Sequence, residues 1–127
     1  MFEPEPICWR SFTDYANAQL TLKPDAFISI ASGEVEQVSF VEVDLATEHT
    51  PTLRRKLGRY LTAFDAGVEQ PGDAAFPNVL WAVPSQKRAD QLQRLIEDLP
   101  PEQAALFGVV LSESASELAV LAHGNSP

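Results

Sequence analysis

The sequence predicts a single α/β domain, residues 1–127, in which helices pack on the face of a mixed sheet. Three patterns lead to this prediction. Two early segments are β-rich and the first of them alternates, apolar residues recur at helical spacing over two later segments, and two short continuous apolar runs are present. The predicted order is therefore a β-hairpin, a helix, a strand, a helix and a strand.

The hairpin is predicted from two β-rich segments on either side of a turn. The first strand begins at Asp25, after Pro24, and runs to residue 31, and a second β-rich run covers residues 35–45. Ser32-Gly33-Glu34 between them has the composition of a turn. Residues 1–21 carry conflicting helix and strand signals, so they predict no definite element.

The first helix is predicted to start at Thr50, which would cap it, with Pro51 in the first helical position. Gly67 is the expected terminator. Spacing of three and four residues predicts that one apolar stripe faces the sheet: Leu53, Leu57, Tyr60, Leu61 and Phe64.

The second half predicts a strand, a helix and a further strand. The run NVLWAV at 78–83 is typical of a central strand buried on both faces. Ser85 predicts the cap of the second helix, Pro100-Pro101 predict its end, and LFGVVL at 106–111 predicts another buried strand. Residues 118–122 are an expected edge strand, and residues 123–127 an expected flexible tail. The inward stripe of this helix is predicted to be Ala89, Leu92, Ile96 and Leu99.

Composition narrows the classes of function. No apolar run is long enough to cross a bilayer, and the acidic, proline-rich start lacks the features of a secretory signal, so we expect a cytoplasmic protein with no membrane partner. The single cysteine, Cys8, cannot form an internal disulfide. A net charge of −9 repels nucleic acid at long range, although Arg54, Arg55, Lys56 and Arg59 form a local basic group.

Three acidic residues form the main concentration of polar chemistry. Glu42 and Asp44 are two apart on one strand, so their side chains leave the same face. The hairpin can bring Asp25 alongside, because cross-strand neighbours approach within about 5 Å. Crowded carboxylates favour a shared cation, and their hard oxygen atoms suit magnesium or manganese. Lys56, at the border of the helical stripe, can reach back toward them and stabilise charge during phosphodiester cleavage.

Simpler interpretations stay open for the same residues. The three carboxylates could be the solvent-facing stripe of an amphipathic hairpin, with no ligand. Arg55 and Arg59 are better explained as a solvated helix face that pairs with nearby acids. Tyr60 is interpreted as an aromatic residue at the edge of the core, and Glu48 as a cap of the helix start.

Four short segments carry a resemblance to a known family: LKPDA at 22–26, FVEVD at 40–44, TE at 47–48 and LRRKLGRY at 53–60. Together they resemble the replication-relaxation family of plasmid and mobile-element proteins. That family is similar to the PD-(D/E)XK restriction-endonuclease-like superfamily. The resemblance covers residues 22–60 and extends more weakly into the strand, helix and strand that follow.

The resemblance implies a restriction-endonuclease-like mixed sheet and a particular site. Pro24-Asp25 would be the PD element and Glu42 the (D/E) element. Asp44 occupies the position of the superfamily lysine, so Lys56 on the next helix would be the relocated catalytic lysine. Asp25, Glu42 and Asp44 would be the ligands of magnesium or manganese. The resemblance also associates a winged-helix region with the N-terminal side of the family, and we expect none within residues 1–127.

Three hypotheses about function follow. The first is a nuclease-like domain, a metal-dependent DNA endonuclease if active, that acts on or is positioned at DNA in plasmid or mobile-element maintenance. The second is a catalytically inactive member of the fold that binds protein partners in a replication or relaxation complex, which the negative charge and the displaced lysine favour. The third is an acidic protein that mimics DNA and occupies a basic partner, as immunity proteins do.

Overall fold

The computed structural model describes residues 2–14, 16–67 and 77–112. Its strands and helices confirm the mixed α/β fold class. The elements in chain order are β1 (Phe2–Pro4), β2 (Arg10–Thr13), β3 (Gln19–Leu22), β4 (Ala26–Ser32), β5 (Val35–Val43), α1 (Thr50–Asp65), β6 (Asn78–Val83), α2 (Gln86–Glu97), α3 (Pro101–Ala104) and β7 (Phe107–Leu111).

Five of the strands form one mixed sheet in the order β1-β4-β5-β6-β7, and β2 and β3 form a separate antiparallel pair. The predicted hairpin is confirmed as β4 and β5, whose register runs from Ala26 opposite Val41 to Ser32 opposite Val35. Gly33 in the connecting turn has φ +65°, a backbone conformation that glycine adopts without strain. The pairs β5–β6 and β6–β7 are parallel, so each needs a crossover connection, which contains α1 in the first case and α2 in the second.

Helix α1 begins one residue earlier than a cap at Thr50 would allow. His49 has extended backbone angles and is the N-cap, so Thr50 is the first helical residue and Pro51 the second, and the prediction of a Thr50 cap is wrong. Gly67 follows the C-cap with φ +76°, which confirms it as the terminator. The predicted stripe is confirmed at its three most buried positions, Leu53, Leu57 and Tyr60, while Leu61 and Phe64 pack at the margin of the core.

Helix α2 begins as predicted. The Ser85 hydroxyl accepts a hydrogen bond from the backbone N–H of Arg88 at 3.2 Å, which satisfies one of the free donors of the first turn. Leu92 and Ile96 of the predicted stripe are buried, and Leu95 joins them. The helix ends before Pro100-Pro101, as predicted, and the second of these prolines opens the short α3. The strand prediction at 78–83 is confirmed by β6, which is central and buried. The run at 106–111 does form a strand, β7, but the prediction that it is buried is wrong: β7 is the last strand in the order of the described sheet, and Val110 and Leu111 are exposed.

One apolar core fills the space between a face of the large sheet and the helices. Strand residues from four neighbouring strands meet residues of α1 and α2 there, among them Phe27, Phe40, Trp81 and Phe107. The segment that carried conflicting signals forms β1, which extends the sheet beside β4, and the β2–β3 hairpin. Cys8 from this segment and Leu22, the last residue of β3, are fully buried in the core.

The predicted edge strand at 118–122 and the tail at 123–127 lie outside the described residues. Within the described part of the chain, no helix combines the length and the apolar character needed to span a bilayer.

Candidate functional site

The structure places Glu42 and Asp44 on one face of β5, as predicted, but that face is the interior of the protein. Their relative exposures are 5% and 3%, so the interpretation of these two residues as a solvent-facing stripe is wrong. Asp25 precedes β4 and is half-buried. Its backbone N–H donates to the carbonyl of Val41 at 2.9 Å, and its Oδ2 accepts from the N–H of Val43 at 2.7 Å. These two bonds fix Asp25 beside the Glu42 segment of β5.

Glu42 is held from the helix side by two groups of α1. The phenol of Tyr60 donates to Oε1 at 2.6 Å, and the ammonium of Lys56 lies 4.0 Å from Oε2. Burial raises the pKa of Glu42 to about 8, and the charge of Asp25 adds to this effect, while Tyr60 and Lys56 oppose it. Glu42 is therefore mostly protonated and neutral at pH 7. Tyr60, which was interpreted as a core-edge aromatic, is a buried polar partner of the site, and burial raises its pKa well above the usual value.

Lys56 reaches back toward the strands, as predicted, and forms an ion pair with Glu48. Its Nζ lies 2.6 Å from Oε1 of Glu48. Burial lowers the pKa of Lys56, but the hydrogen bond to Glu48 and the neighbouring acidic groups outweigh burial, so the pKa is raised and the ammonium stays charged. Glu48 therefore holds Lys56, and the prediction that it caps the helix is wrong.

Asp44 takes part in a separate buried ion pair with Arg88 of α2. Nε of Arg88 donates to Oδ2 at 2.5 Å, and Nη2 donates to Oδ1 at 3.0 Å. The same Nη2 also donates to the backbone carbonyl of Glu48 at 2.9 Å. The hydrogen bond to Asp44 is the main reason that the pKa of Arg88 is raised. The bidentate pair with Asp44 and the bond to Glu48 together join the start of α2 to the loop between β5 and α1.

The sequence analysis did not predict Arg88 as a site residue, although its position in α2 indicates burial. Arg88 stands four residues before Leu92 and eight before Ile96, so it lies on the buried stripe of α2. A charged residue at such a position is buried only with a partner, and the buried acid at Asp44 supplies it.

The structure thus brings Asp25, Glu42 and Lys56 together and directs Asp44 to Arg88. In the ranges 2–14, 16–67 and 77–112, no group of three or more His, Cys, Asp or Glu residues is arranged to hold a metal ion. Two carboxylates still suit a cation of the magnesium type, which commonly binds one or two carboxylates together with substrate phosphates. A bound cation would also favour the ionised form of Glu42 beside Asp25. Metal binding by Asp25, Glu42 and Asp44, and catalysis by Lys56, stay predictions.

An open cleft of about 340 Å³ lies next to Glu42. We name it the cationic cleft; its lining residues are Leu22, Lys23, Glu42, Thr52, Arg55, Lys56, Arg59 and Tyr60. Four of these eight residues are basic, in a chain whose net charge is −9. Arg55 and Arg59 were expected on a solvated helix face, and both are exposed on α1, where they form one wall of the cleft.

No curated protein and no solved structure matches this chain. The model of the replication-relaxation family matches residues 1–79, which is more than half of the 127 residues. The matched range contains every lining residue of the cationic cleft, and Arg88 lies beyond it. The chain belongs to the replication-relaxation family.

Proposed function

We propose that this domain binds the phosphate backbone of DNA through the cationic cleft during replication of a plasmid or mobile element. The observation that carries the proposal is the convergence of Lys23, Arg55, Lys56 and Arg59 on one cleft of an otherwise acidic chain. Membership of the replication-relaxation family supports a role in the replication of such elements.

Electrostatics favours binding at this cleft over the rest of the surface. Lysine and arginine side chains that neutralise phosphates release condensed counterions, and this release supplies much of the affinity for DNA. Arg55 and Arg59 are four residues apart, so they project from the same side of α1. Glu42 beside them is mostly neutral at pH 7 because its pKa is raised to about 8, so it adds little repulsion. The acidic surface elsewhere repels the backbone and directs it to the cleft.

Fluorescence anisotropy with a labelled DNA oligonucleotide tests this proposal. We expect Arg59→Gln to weaken binding about 5- to 10-fold and to reduce the salt dependence of log Kd by about one phosphate contact. Lys87→Gln is the matched control, because Lys87 is exposed on α2 and lies outside the cleft. Equal losses in the two variants would show that binding follows net charge and not this cleft.

A second candidate function is cation-dependent cleavage of DNA, which the proximity of Asp25, Glu42 and Lys56 favours. In this proposal Pro24-Asp25 and Glu42 correspond to the acidic elements of the PD-(D/E)XK superfamily. The order of hairpin, helix, strand, helix and strand is consistent with a restriction-endonuclease-like arrangement. Bound magnesium or manganese would offset the negative charge that develops on the phosphate. Lys56, held by Glu48, would contact the same phosphate.

Calorimetric titration with manganese tests this second candidate separately from DNA binding. We expect saturable binding by the wild type that is lost in Asp25→Asn, with Asp98→Asn as a control because Asp98 is exposed at the end of α2. No saturable binding at millimolar manganese, with DNA binding intact, would leave the catalytically inactive module. Capture of a basic protein together with failure to bind any DNA would favour the DNA mimic.

A further inference from the structure

A second cavity, also of about 340 Å³, continues the cationic cleft along α1. It lies between α1 and the β2–β3 hairpin and shares Arg55 and Arg59 with the cleft, so the two cavities have a common wall. We name it the hairpin groove; its lining residues are Phe12, Leu20, Thr21, Arg55, Gly58, Arg59 and Thr62.

The groove owes much of its room to Gly58. This residue lies inside α1, where glycine destabilises a helix relative to alanine. A Cβ added at Gly58 would meet no atom within 4 Å, so packing does not require glycine at this position. The missing side chain leaves open space between the two arginines that border it on the helix.

The lining of the groove matches a nucleobase in chemistry. Phe12 is half-buried and aromatic, and Leu20 beside it is apolar, so this side of the groove offers a surface for a flat, weakly polar group. Arg55 and Arg59 offer planar guanidinium groups, which stack on bases and also bind the phosphates that join them. A base stacked and paired inside a duplex cannot enter such a groove, whereas a base of a single strand can.

We propose that the hairpin groove accepts one unstacked base, and that the nucleic acid bound by the cationic cleft is therefore single-stranded. This inference rests on the proposed function, since the phosphate next to that base would occupy the cleft. The base would lie against Phe12 and over Gly58, and Arg55 and Arg59 would contact the backbone on the shared wall.

The test compares binding of a labelled 12-nucleotide oligothymidine with binding of a labelled 12-base-pair duplex, at one salt concentration. We expect the wild type to bind the single strand about tenfold more tightly. Gly58 lines the groove but not the cationic cleft, so Gly58→Leu should remove most of this preference and leave the duplex affinity nearly unchanged. Gly58→Ala is the matched control, because one methyl group leaves most of the cavity open.

Folding of each variant is checked by its thermal unfolding midpoint, which should not fall, because both substitutions replace a glycine inside a helix. Phe12→Leu is an independent variant that keeps an apolar side chain and removes the aromatic face; it should weaken only single-strand binding. Equal affinity of the wild type for both DNA forms, or an unchanged preference in Gly58→Leu, overturns this inference and leaves the proposed function standing. Absence of any DNA binding by the wild type overturns the proposed function itself.

Discussion

Replacement of Glu42 by glutamine should make the stability of the protein less sensitive to a rise in pH from acidic to weakly alkaline values. The pKa of Glu42 rises from 4.5 to about 8 on folding, chiefly because the carboxyl group is buried. Between these values the folded state keeps a proton that the unfolded state has released. The stabilisation is therefore complete below pH 4.5 and is lost as the pH rises through 8.

The magnitude follows from about 1.4 kcal/mol for each unit of difference between the folded and unfolded pKa values. From pH 5.5 to pH 9 the free energy of unfolding of the wild type should fall by about 3 kcal/mol more than that of Glu42→Gln. Glutamine is nearly isosteric with the protonated acid, and its amide oxygen can still accept the hydrogen bond from Tyr60. Other titrating groups act equally in both proteins and cancel in the comparison.

Urea unfolding at several pH values measures this difference, with the fluorescence of the buried Trp81 as the signal. The two proteins should unfold in a two-state transition with the same m-value, so that their free energies can be compared. Parallel stability profiles for Glu42→Gln and the wild type would refute the reasoning, because they would mean that Glu42 titrates similarly in the folded and unfolded states.

Three further outcomes are expected. Asp44→Ala should lower the free energy of unfolding by about 3–5 kcal/mol, because it leaves the buried guanidinium of Arg88 without its counter-ion. In the same urea unfolding experiment, the exposed control Asp98→Ala should change this free energy by under about 0.5 kcal/mol. Ala46→Gly should raise the free energy of unfolding by about 0.5–1 kcal/mol, because Ala46 has φ +60°, a left-handed conformation that strains alanine but not glycine. A free energy of unfolding below that of the wild type would contradict strain at this residue. Cys8 should react with a thiol reagent at pH 8 only when the protein unfolds. Burial raises the pKa of its thiol from 9.0 to about 11, so the reactive thiolate is about 100-fold scarcer in the folded than in the unfolded protein. Fast labelling of the folded protein would contradict this.

The sequence predicts best those elements that local chemistry defines. The β4–β5 hairpin follows from two β-rich segments on either side of the turn at Gly33, and the start of α2 follows from the side-chain cap at Ser85. Both depend on residues within a few positions of each other. The N-terminal strands are only three or four residues long, and β1 is fixed by distant partners such as Ile28, so no local pattern defines it.

The sequence predicts where the acidic residues of the candidate site lie, but not which side chains they contact. A spacing of two residues places Glu42 and Asp44 on one face, yet it does not reveal which helix covers each of them. Tertiary packing sets Tyr60 over Glu42 and Arg88 over Asp44, and so separates two carboxylates that the sequence groups together. The burial that raises the pKa of Glu42 arises from the same packing.

The ion pair between Arg88 and Asp44 has a consequence for the order of folding. It joins positions 44 residues apart, and the bond from Arg88 to the Glu48 carbonyl spans 40 residues. Contacts across such long stretches of chain carry a large loop-closure entropy and tend to form late. We therefore expect α1 and the β4–β5 hairpin to assemble first. The loop that carries Glu48, the counter-ion of Lys56, should become ordered only when α2 packs against it. Loss of this pair should then speed unfolding far more than it slows refolding.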